Sequence, residues 1–146
     1  MSAGFDPKRA INGTFGEVLL NGELVREATA LKAEMQMEFK PVPMCGTLSR
    51  KQKNSGWTGN GTITMTKTNS RMAILIFEEI KAGRSPEFVI ISKLADPDAF
   101  GAERVVLKGV QFTNLALADW SAETIGQVTQ TFTFTDAEYL DMIDPE

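Results

Sequence analysis

Length, composition and charge exclude several classes of protein. With 146 residues, 42% of them hydrophobic and 23% charged, the chain has the size and composition of one globular domain spanning 1–146, and it is too apolar for wholesale disorder. No apolar run approaches the ~18 residues of a membrane helix and the start lacks a signal-peptide core, so we expect an intracellular protein without a membrane segment. The net charge of -4 arises in an acidic tail, 136–146, whereas the nearly neutral remainder lacks extended basic clusters for nucleic acid.

The first 24 residues predict an arm followed by a hairpin. Residues 1–14 mix Gly, Pro, Asn and charged residues without periodicity, which is typical of a flexible arm. Asn21 and Gly22 then separate two short apolar runs. Because Asn-Gly supplies the positive φ angles of a two-residue type I′ turn, this stretch predicts a β-hairpin.

The stretch 31–43, LKAEMQMEFKPVP, is the most informative in the chain. Every odd position from 31 to 39 is apolar and every even position from 32 to 40 is polar, which predicts a long strand with one apolar and one polar face. Its residues are also good helix formers, so a helix is the alternative that the alternation outweighs. Pro41 and Pro43 end or fray the predicted strand because proline removes a ladder donor.

A long loop and a second strand are predicted next. Residues 45–60, CGTLSRKQKNSGWTGN, are polar, glycine-rich and basic, and a connection of this length is usually functional or disordered. Trp57 either serves a function in this loop or folds back on its own barrel. The threonine-rich stretch 61–67 alternates again, so we expect it to pair with the first long strand.

The second half of the chain predicts one helix and further strands. A helix is predicted over 71–82, with Asn69 or Ser70 as its cap and Gly83 at its end. A strand buried on both faces is predicted for 87–94. Another is predicted for 104–112, continuing into 114–118 with a bulge or bend at Gly109, and a last one for 128–135. In that last strand Val128, Phe132 and Phe134 would share one face and four threonines the other.

The sequence predicts no catalytic or metal site. The chain has no histidine, which removes the commonest general base, the usual catalytic triad and most zinc or iron sites. The lone Cys45 is interpreted as a small hydrophobic residue, and Asp96 and Asp98 as a turn instead of a calcium loop. Glu34 and Glu38 are interpreted as part of a solvated face. We therefore predict a protein that is not an enzyme and needs no cofactor.

The order of these elements resembles a known family. It is similar to the tail tube proteins of contractile, myovirus-type phage tails and related phage-like bacteriocins, in particular the family typified by the defective phage PBSX. The stretches that carry the resemblance are GEVLLNGE at 16–23, GNGT through TKTNS at 59–70, ERVVL at 103–107 and FTF at 132–134. The resemblance covers nearly the whole chain.

The resemblance implies both a fold and a function. The fold would be mainly β, of the α+β type: a tail-tube β-barrel or sandwich with long hairpins and one flanking helix. The protein would be a structural virion protein, assembled in the host cytoplasm, that forms stacked hexameric rings in the virion tail. DNA would pass through the bore without specific binding. The partners would be other copies of the chain and the sheath, baseplate and tail terminator proteins.

Two sets of side chains receive roles from this resemblance. The bore would be lined by the polar side chains of the two long strands: Lys32, Glu34, Gln36, Glu38, Lys40, Thr62, Thr64 and Thr66. The five side chains on the first strand have a net charge of zero, although bores of this kind tend to be acidic. Either other strands supply the acidic side chains, or the polar face of this strand does not line the bore. Contacts to an adjacent ring are expected from Arg50, Lys51, Lys53 and Trp57, with the acidic tail as a candidate partner. A merely solvated loop is the alternative.

Two other functions remain open at this stage. A secretion-system tube protein of the Hcp type would share the architecture. A monomeric ligand-binding β-barrel would differ, because it requires a closed interior pocket and no self-assembly.

Overall fold

A computed structural model describes residues 4, 6–98 and 101–143. Within these ranges the chain forms eight strands and one α-helix: β1 (Gly16–Leu20), β2 (Glu23–Leu24), β3 (Ala28–Val42), β4 (Lys51–Thr66), α1 (Arg71–Lys81), β5 (Phe88–Leu94), β6 (Glu103–Phe112), β7 (Gln127–Phe134) and β8 (Asp136–Asp141). The strand order is β2-β1-β5-β6-β7-β4-β3, with β8 also paired to β6. The predicted mainly β fold with one helix is confirmed.

Strand β6 joins two parts of the sheet. Its first part pairs with β5 and β8, whereas Gln111 and Phe112 at its end pair with β7. Gly109 lies at the register shift of the β5–β6 pairing, between Leu107 and Val110, with φ +64, and a Cβ at this position would overlap the Thr135 hydroxyl. Only glycine adopts this backbone conformation at little cost, so the bend predicted at Gly109 is confirmed.

The predicted Asn-Gly hairpin is also confirmed. Asn21 and Gly22 have φ values of 51° and 86°, and they connect β1 to β2. The Asn21 side chain accepts a hydrogen bond from the Val89 amide at 2.9 Å, and the Asn21 amide donates to the Val89 carbonyl at 2.9 Å. The turn is therefore fixed to the neighbouring strand β5.

The N-terminal arm contains two hydrogen-bonded 3-10 turns in its described part, Pro7–Arg9 and Gly13–Phe15. The Asn12 amide donates to Asp96 Oδ2 at 2.9 Å, and the Asp98 amide donates to Asp96 Oδ1 at 2.9 Å. Asp96 thus organises the turn that the sequence predicts and holds the arm against it. This contact fixes part of a segment for which a flexible arm was predicted.

Strands β3 and β4 form one long hairpin. The strand prediction for 31–40 is confirmed over a longer span, and the helix alternative is wrong. The loop prediction for 45–60 is wrong from residue 51 onward, because Lys51 begins β4 and pairs with Val42. The extended backbone of β3 supplies a hydrogen-bonding partner along this whole length, which outweighs the weak strand propensity of the glycines and lysines.

Two glycines of β4 explain how β7 packs against it. A Cβ at Gly59 would overlap the Phe134 ring, and one at Gly61 would overlap both the Phe132 ring and the Lys32 carbonyl oxygen. The two phenylalanine rings therefore lie across the strand where side chains are missing. Trp57 continues this aromatic row, with its ring centroid 6.1 Å from that of Phe134.

Helix α1 packs into the core at one end of the sheet. Met72 and Ile76 are buried in the same cluster as Phe132, Ile90 and Val110. The predicted bounds of the helix agree to one residue. Its cap is the Asn69 side chain, which accepts a hydrogen bond from the Arg71 amide at 3.0 Å. Among the described residues, no helix is long and apolar enough to cross a membrane.

Two strand predictions need correction. Strand β5 is not buried on both faces, because Val89 is exposed between the buried Phe88 and Ile90. The predicted continuation of β6 into 114–118 is wrong, because β6 ends at Phe112. Asn114 ends the ladder: its side-chain oxygen accepts from the Thr131 amide at 2.8 Å, replacing a backbone carbonyl.

Candidate assembly surfaces

The polar residues of the β3–β4 hairpin share one face. Directly opposed residues in an antiparallel pair lie on the same side of the sheet. The register places Lys32 opposite Thr62, Glu34 opposite Asn60, Gln36 opposite Thr58, and Lys40 opposite Lys53. Of the predicted bore residues, Thr64 continues this face, whereas Thr66 ends β4 and lines a small cavity beside the start of α1.

Strand β7 extends the same face with threonines that the prediction of bore residues omitted. Thr62 is paired with Thr131, Asn60 with Thr133 and Thr64 with Thr129. Thr113, beyond the end of β6, is hydrogen-bonded to Thr131 through its hydroxyl. The alternation in 128–135 contained this signal, and the pairing of β7 with β4 was the missing information. We call the whole surface the polar face: Lys32, Glu34, Gln36, Glu38, Lys40, Lys53, Thr58, Asn60, Thr62, Thr64, Thr113, Thr129, Thr131 and Thr133.

The polar face is rich in hydroxyl groups and close to neutral. Its acids are Glu34 and Glu38, and its bases are Lys32, Lys40 and Lys53. Strands β4 and β7 contribute threonines, Asn60 and Lys53 to it. Among the described residues of β4 and β7 there is therefore no source for the acid expected in the bore. The face encloses an open depression of about 340 Å³ near Thr62 and Thr131.

The opposite face of the hairpin changes along its length. Near the base, Ile63 and Met65 are buried in the core and Leu31 packs against it. Farther out, Met35, Met37 and Phe39 are 45%, 54% and 54% exposed. We call these three the apolar tip row. Exposed apolar side chains that line up in this way mark an interaction surface.

Strand β3 also leaves backbone groups without partners. It is the last strand of the sheet, so one edge of its 15 residues is unpaired among the described residues. Natural proteins usually shorten, charge or cover such edges because they add strands from other chains. An unpaired edge of this length is compatible with pairing to a second copy.

The four predicted inter-ring residues lie at different places on the hairpin. Arg50 is in the turn, and Lys51 and Lys53 are exposed at the start of β4. Trp57 is half-buried against Phe134, so it belongs to the subunit's own packing and not to a loop. The acidic tail, their candidate partner, forms strand β8 over its described part, where Lys108 and Arg104 pair with Glu138 and Asp141 at 3.3 Å each.

A second exposed surface was not predicted. The segment between β6 and β7, residues 113–126, exposes Leu117, Trp120 and Ile125, with Trp120 85% exposed. Asp119 and Glu123 are in the same segment, which contains no base. The sequence signal was an apolar, acidic stretch with a tryptophan between two strands. We call this segment the β6–β7 loop.

The described residues were compared with what a metal site or an enclosed ligand site requires. Within the ranges that the structure describes, no three metal-ligating side chains come together. Cys45, interpreted from the sequence as a small hydrophobic residue, is exposed in the turn that follows β3. The cavity beside α1 measures about 30 Å³, room for about one water molecule and far below the ~300 Å³ of small-molecule sites.

Comparison with known families identifies the chain. The family described as "Phage tail tube protein" matches residues 3–141. The chain belongs to this family. It is therefore a structural protein of the tail tube type and not an enzyme. A comparison with curated proteins finds no match.

Solved structures support the fold. A chain of the anti-feeding prophage tube terminating cap is 14% identical, with coverage of 97% of this chain and 95% of that one, and a TM-score of 0.70. A chain of the PVC sheath-tube complex, from an extracellular contractile injection system in its extended state, is 10% identical, with 93% and 95% coverage and a TM-score of 0.71. A chain of the native gene transfer agent virion is 13% identical, with 90% and 100% coverage and a TM-score of 0.56. The expected tail-tube-type fold is confirmed.

Proposed function

We propose that this chain assembles into hexameric rings that stack into the inner tube of a contractile phage tail. The rings would surround a bore through which DNA passes. Sheath, baseplate and tail terminator proteins would be the partners, and the virion tail would be the location, after assembly in the host cytoplasm. Membership of the tail tube family supports the class of function. The sheath–tube complex and tube terminating cap named above support these kinds of partner.

One observation carries the proposal: the β3–β4 hairpin has one face that suits water, but its other face and its outer edge expose groups that lack partners. Its polar face suits contact with water, whereas its apolar tip row and the edge of β3 lack partners among the described residues. Neighbouring copies that pair along β3 and cover the apolar tip row would satisfy both needs at once. Closure into a ring would leave the polar face toward a common bore.

The polar face suits a conduit that does not retain its cargo. The polar positions of β3 hold two lysines, two glutamates and one glutamine, and strands β4 and β7 present mostly hydroxyl groups. Away from the turn of the hairpin, a bore of this kind offers few clustered cations, on which nonspecific DNA binding depends. DNA would pass through without being held.

Electron microscopy of a matched pair of variants tests the proposal. Met37→Glu places a charge in the apolar tip row, and Gln36→Glu places the same charge on the adjacent polar face. We expect rings and tubes from the wild type and from Gln36→Glu, and dispersed monomers from Met37→Glu. A wild type that stays monomeric at high concentration would refute assembly, and unchanged tubes of Met37→Glu would refute the proposed interface.

A further inference from the structure

The surfaces next to the two ends of strand β4 differ in charge: a group of bases lies at its start, and the β6–β7 loop with Asp119 and Glu123 lies beside its end. The first residues of β4 lie at the turn of the hairpin, where Lys40, Arg50, Lys51 and Lys53 are close in the hairpin and residues 39–53 contain no acid. Its last residue, Thr66, pairs with Gln127, and the Lys67 amide donates to the Gly126 carbonyl at 2.8 Å. The β6–β7 loop is thus attached to the other end of the strand.

The bases at the turn of the hairpin repel one another and have no acidic partner among the described residues of the same copy. Lys40 is directly opposite Lys53 in the register, an arrangement that destabilises a strand pair. Among the ion pairs of the described residues, none involves Lys40, Arg50, Lys51 or Lys53. Leu48 in the turn is fully exposed and Met44 is partly exposed. We call residues 40–53 the basic tip.

The acidic end has the complementary composition. In the β6–β7 loop, Asp119 and Glu123 flank the exposed Trp120, and neither forms an ion pair within the described part of the chain. Leu117 and Ile125 add further exposed apolar surface. A basic surface with an exposed leucine would match this loop in both charge and polarity.

We propose that the basic tip of one copy docks on the β6–β7 loop of a copy in the next ring. The two surfaces lie at opposite ends of a 16-residue strand, about 50 Å apart at the usual rise per residue, so one copy cannot join them internally. A contact between different surfaces at opposite ends repeats without closing and gives a filament. The inference rests on the stacking proposed above and names the two surfaces that stack.

Charge reversal and its repair test the pairing. The double variants Lys51→Glu/Lys53→Glu and Asp119→Lys/Glu123→Lys should each lose tubes by electron microscopy while keeping single rings. The four substitutions together restore opposite charges and should recover tubes. Reversal of two exposed acids elsewhere, Glu17→Lys with Glu87→Lys, is the control and should leave the tubes intact.

The emission of Trp120 provides a second measurement in an otherwise native protein. Trp57→Phe removes the other tryptophan of the chain. We expect the remaining emission to shift to the blue when rings stack, because Trp120 leaves water. Added salt should weaken stacking and reverse the shift, as screening weakens exposed charge pairs.

The outcomes separate this inference from the proposed function. Tubes that persist in the Asp119→Lys/Glu123→Lys variant, no recovery in the fourfold variant, or unchanged Trp120 emission in tubes would overturn the docking alone. A wild type that forms neither rings nor tubes would overturn both proposals.

Discussion

The base and the tip of the β3–β4 hairpin share one pattern of residues but differ in burial. At the base, Leu31 and Ile63 are opposite each other and pack in the core, in the same cluster as Met72 of α1 and Phe132 of β7. At the tip, Met37 and Phe39 occupy the same face and are each 54% exposed. Alternation therefore predicts that a strand has an apolar face, but the neighbouring elements decide whether the subunit covers it. Beyond the last neighbouring element, we expect another copy of the chain to cover the apolar face of the hairpin.

The largest expected effect is at the base. Phe132 is 1% exposed and lies across Gly61, with its ring 6.0 Å from that of Phe112. Phe132→Ala would leave a cavity in the core, and we expect a loss of about 3–5 kcal/mol in the free energy of unfolding. Urea denaturation of dissociated protein measures this loss. A loss below about 1 kcal/mol would mean that the base is no better packed than the tip.

A second substitution at the base adds volume instead of removing it. Gly61→Ala would push a methyl group into the Phe132 ring and the Lys32 carbonyl oxygen, and the carbonyl belongs to the backbone and cannot rotate away. We expect a loss of about 1–3 kcal/mol in the free energy of unfolding. Gly13→Ala is the control, because a Cβ there meets nothing within 4 Å. Equal stabilities of the two variants would contradict the close packing of β4 against β7.

Local patterns predicted those elements whose residues contain their own signals. The alternation of 31–40, the Asn-Gly turn and the capped helix at 71 each depend on neighbours in sequence, and all three are confirmed. Strand β4 from 51 to 60 was missed because its glycines and lysines have low strand propensity. Its conformation comes from pairing with β3, and its glycines make room for phenylalanines more than 70 residues away in sequence.

The candidate surfaces were predicted less completely than the fold. The polar row of β3 was evident from alternation, but the threonines of β7 joined it only through the pairing with β4. For Trp57 the sequence left two roles open, an inter-ring contact or packing on its own subunit, because its neighbour Phe134 is distant in sequence. The β6–β7 loop was missed because its exposed Trp120 has no periodicity around it, and exposure is a property of the folded chain.

An ion pair next to the base of the hairpin gives a pH-dependent effect. Arg71 Nε donates to Glu27 Oε1 at 2.8 Å, and this hydrogen bond lowers the pKa of the Glu27 carboxyl below 4.5. The ionised carboxylate therefore stabilises the fold above the pKa of the unfolded chain, and this stability is lost as the pH falls through the lower folded pKa.

Glu27→Gln tests this contribution. We expect a loss of about 1–2 kcal/mol in the free energy of unfolding at pH 7, because a charge-assisted hydrogen bond becomes a neutral one. The difference from the wild type should shrink as the pH falls below about 4. Denaturation curves at several pH values measure it, with Glu17→Gln as the control, because Glu17 is exposed and forms no ion pair among the described residues. A difference that does not vary with pH would contradict the role of the ionised form.

The smallest expected effect on the subunit is at the tip. Phe39→Ala removes a ring as large as that of Phe132, but from a side chain that is 54% exposed. In dissociated protein we expect a change within about 0.5 kcal/mol in the free energy of unfolding, as for most surface substitutions. Assembly, in contrast, should be clearly weakened, because the phenyl ring of Phe39 would be buried only against another copy. Sedimentation of the assembled wild type and of Phe39→Ala should then show a higher concentration threshold for the variant. An unchanged threshold would mean that the apolar tip row stays in water, and the difference between base and tip would no longer indicate an interface.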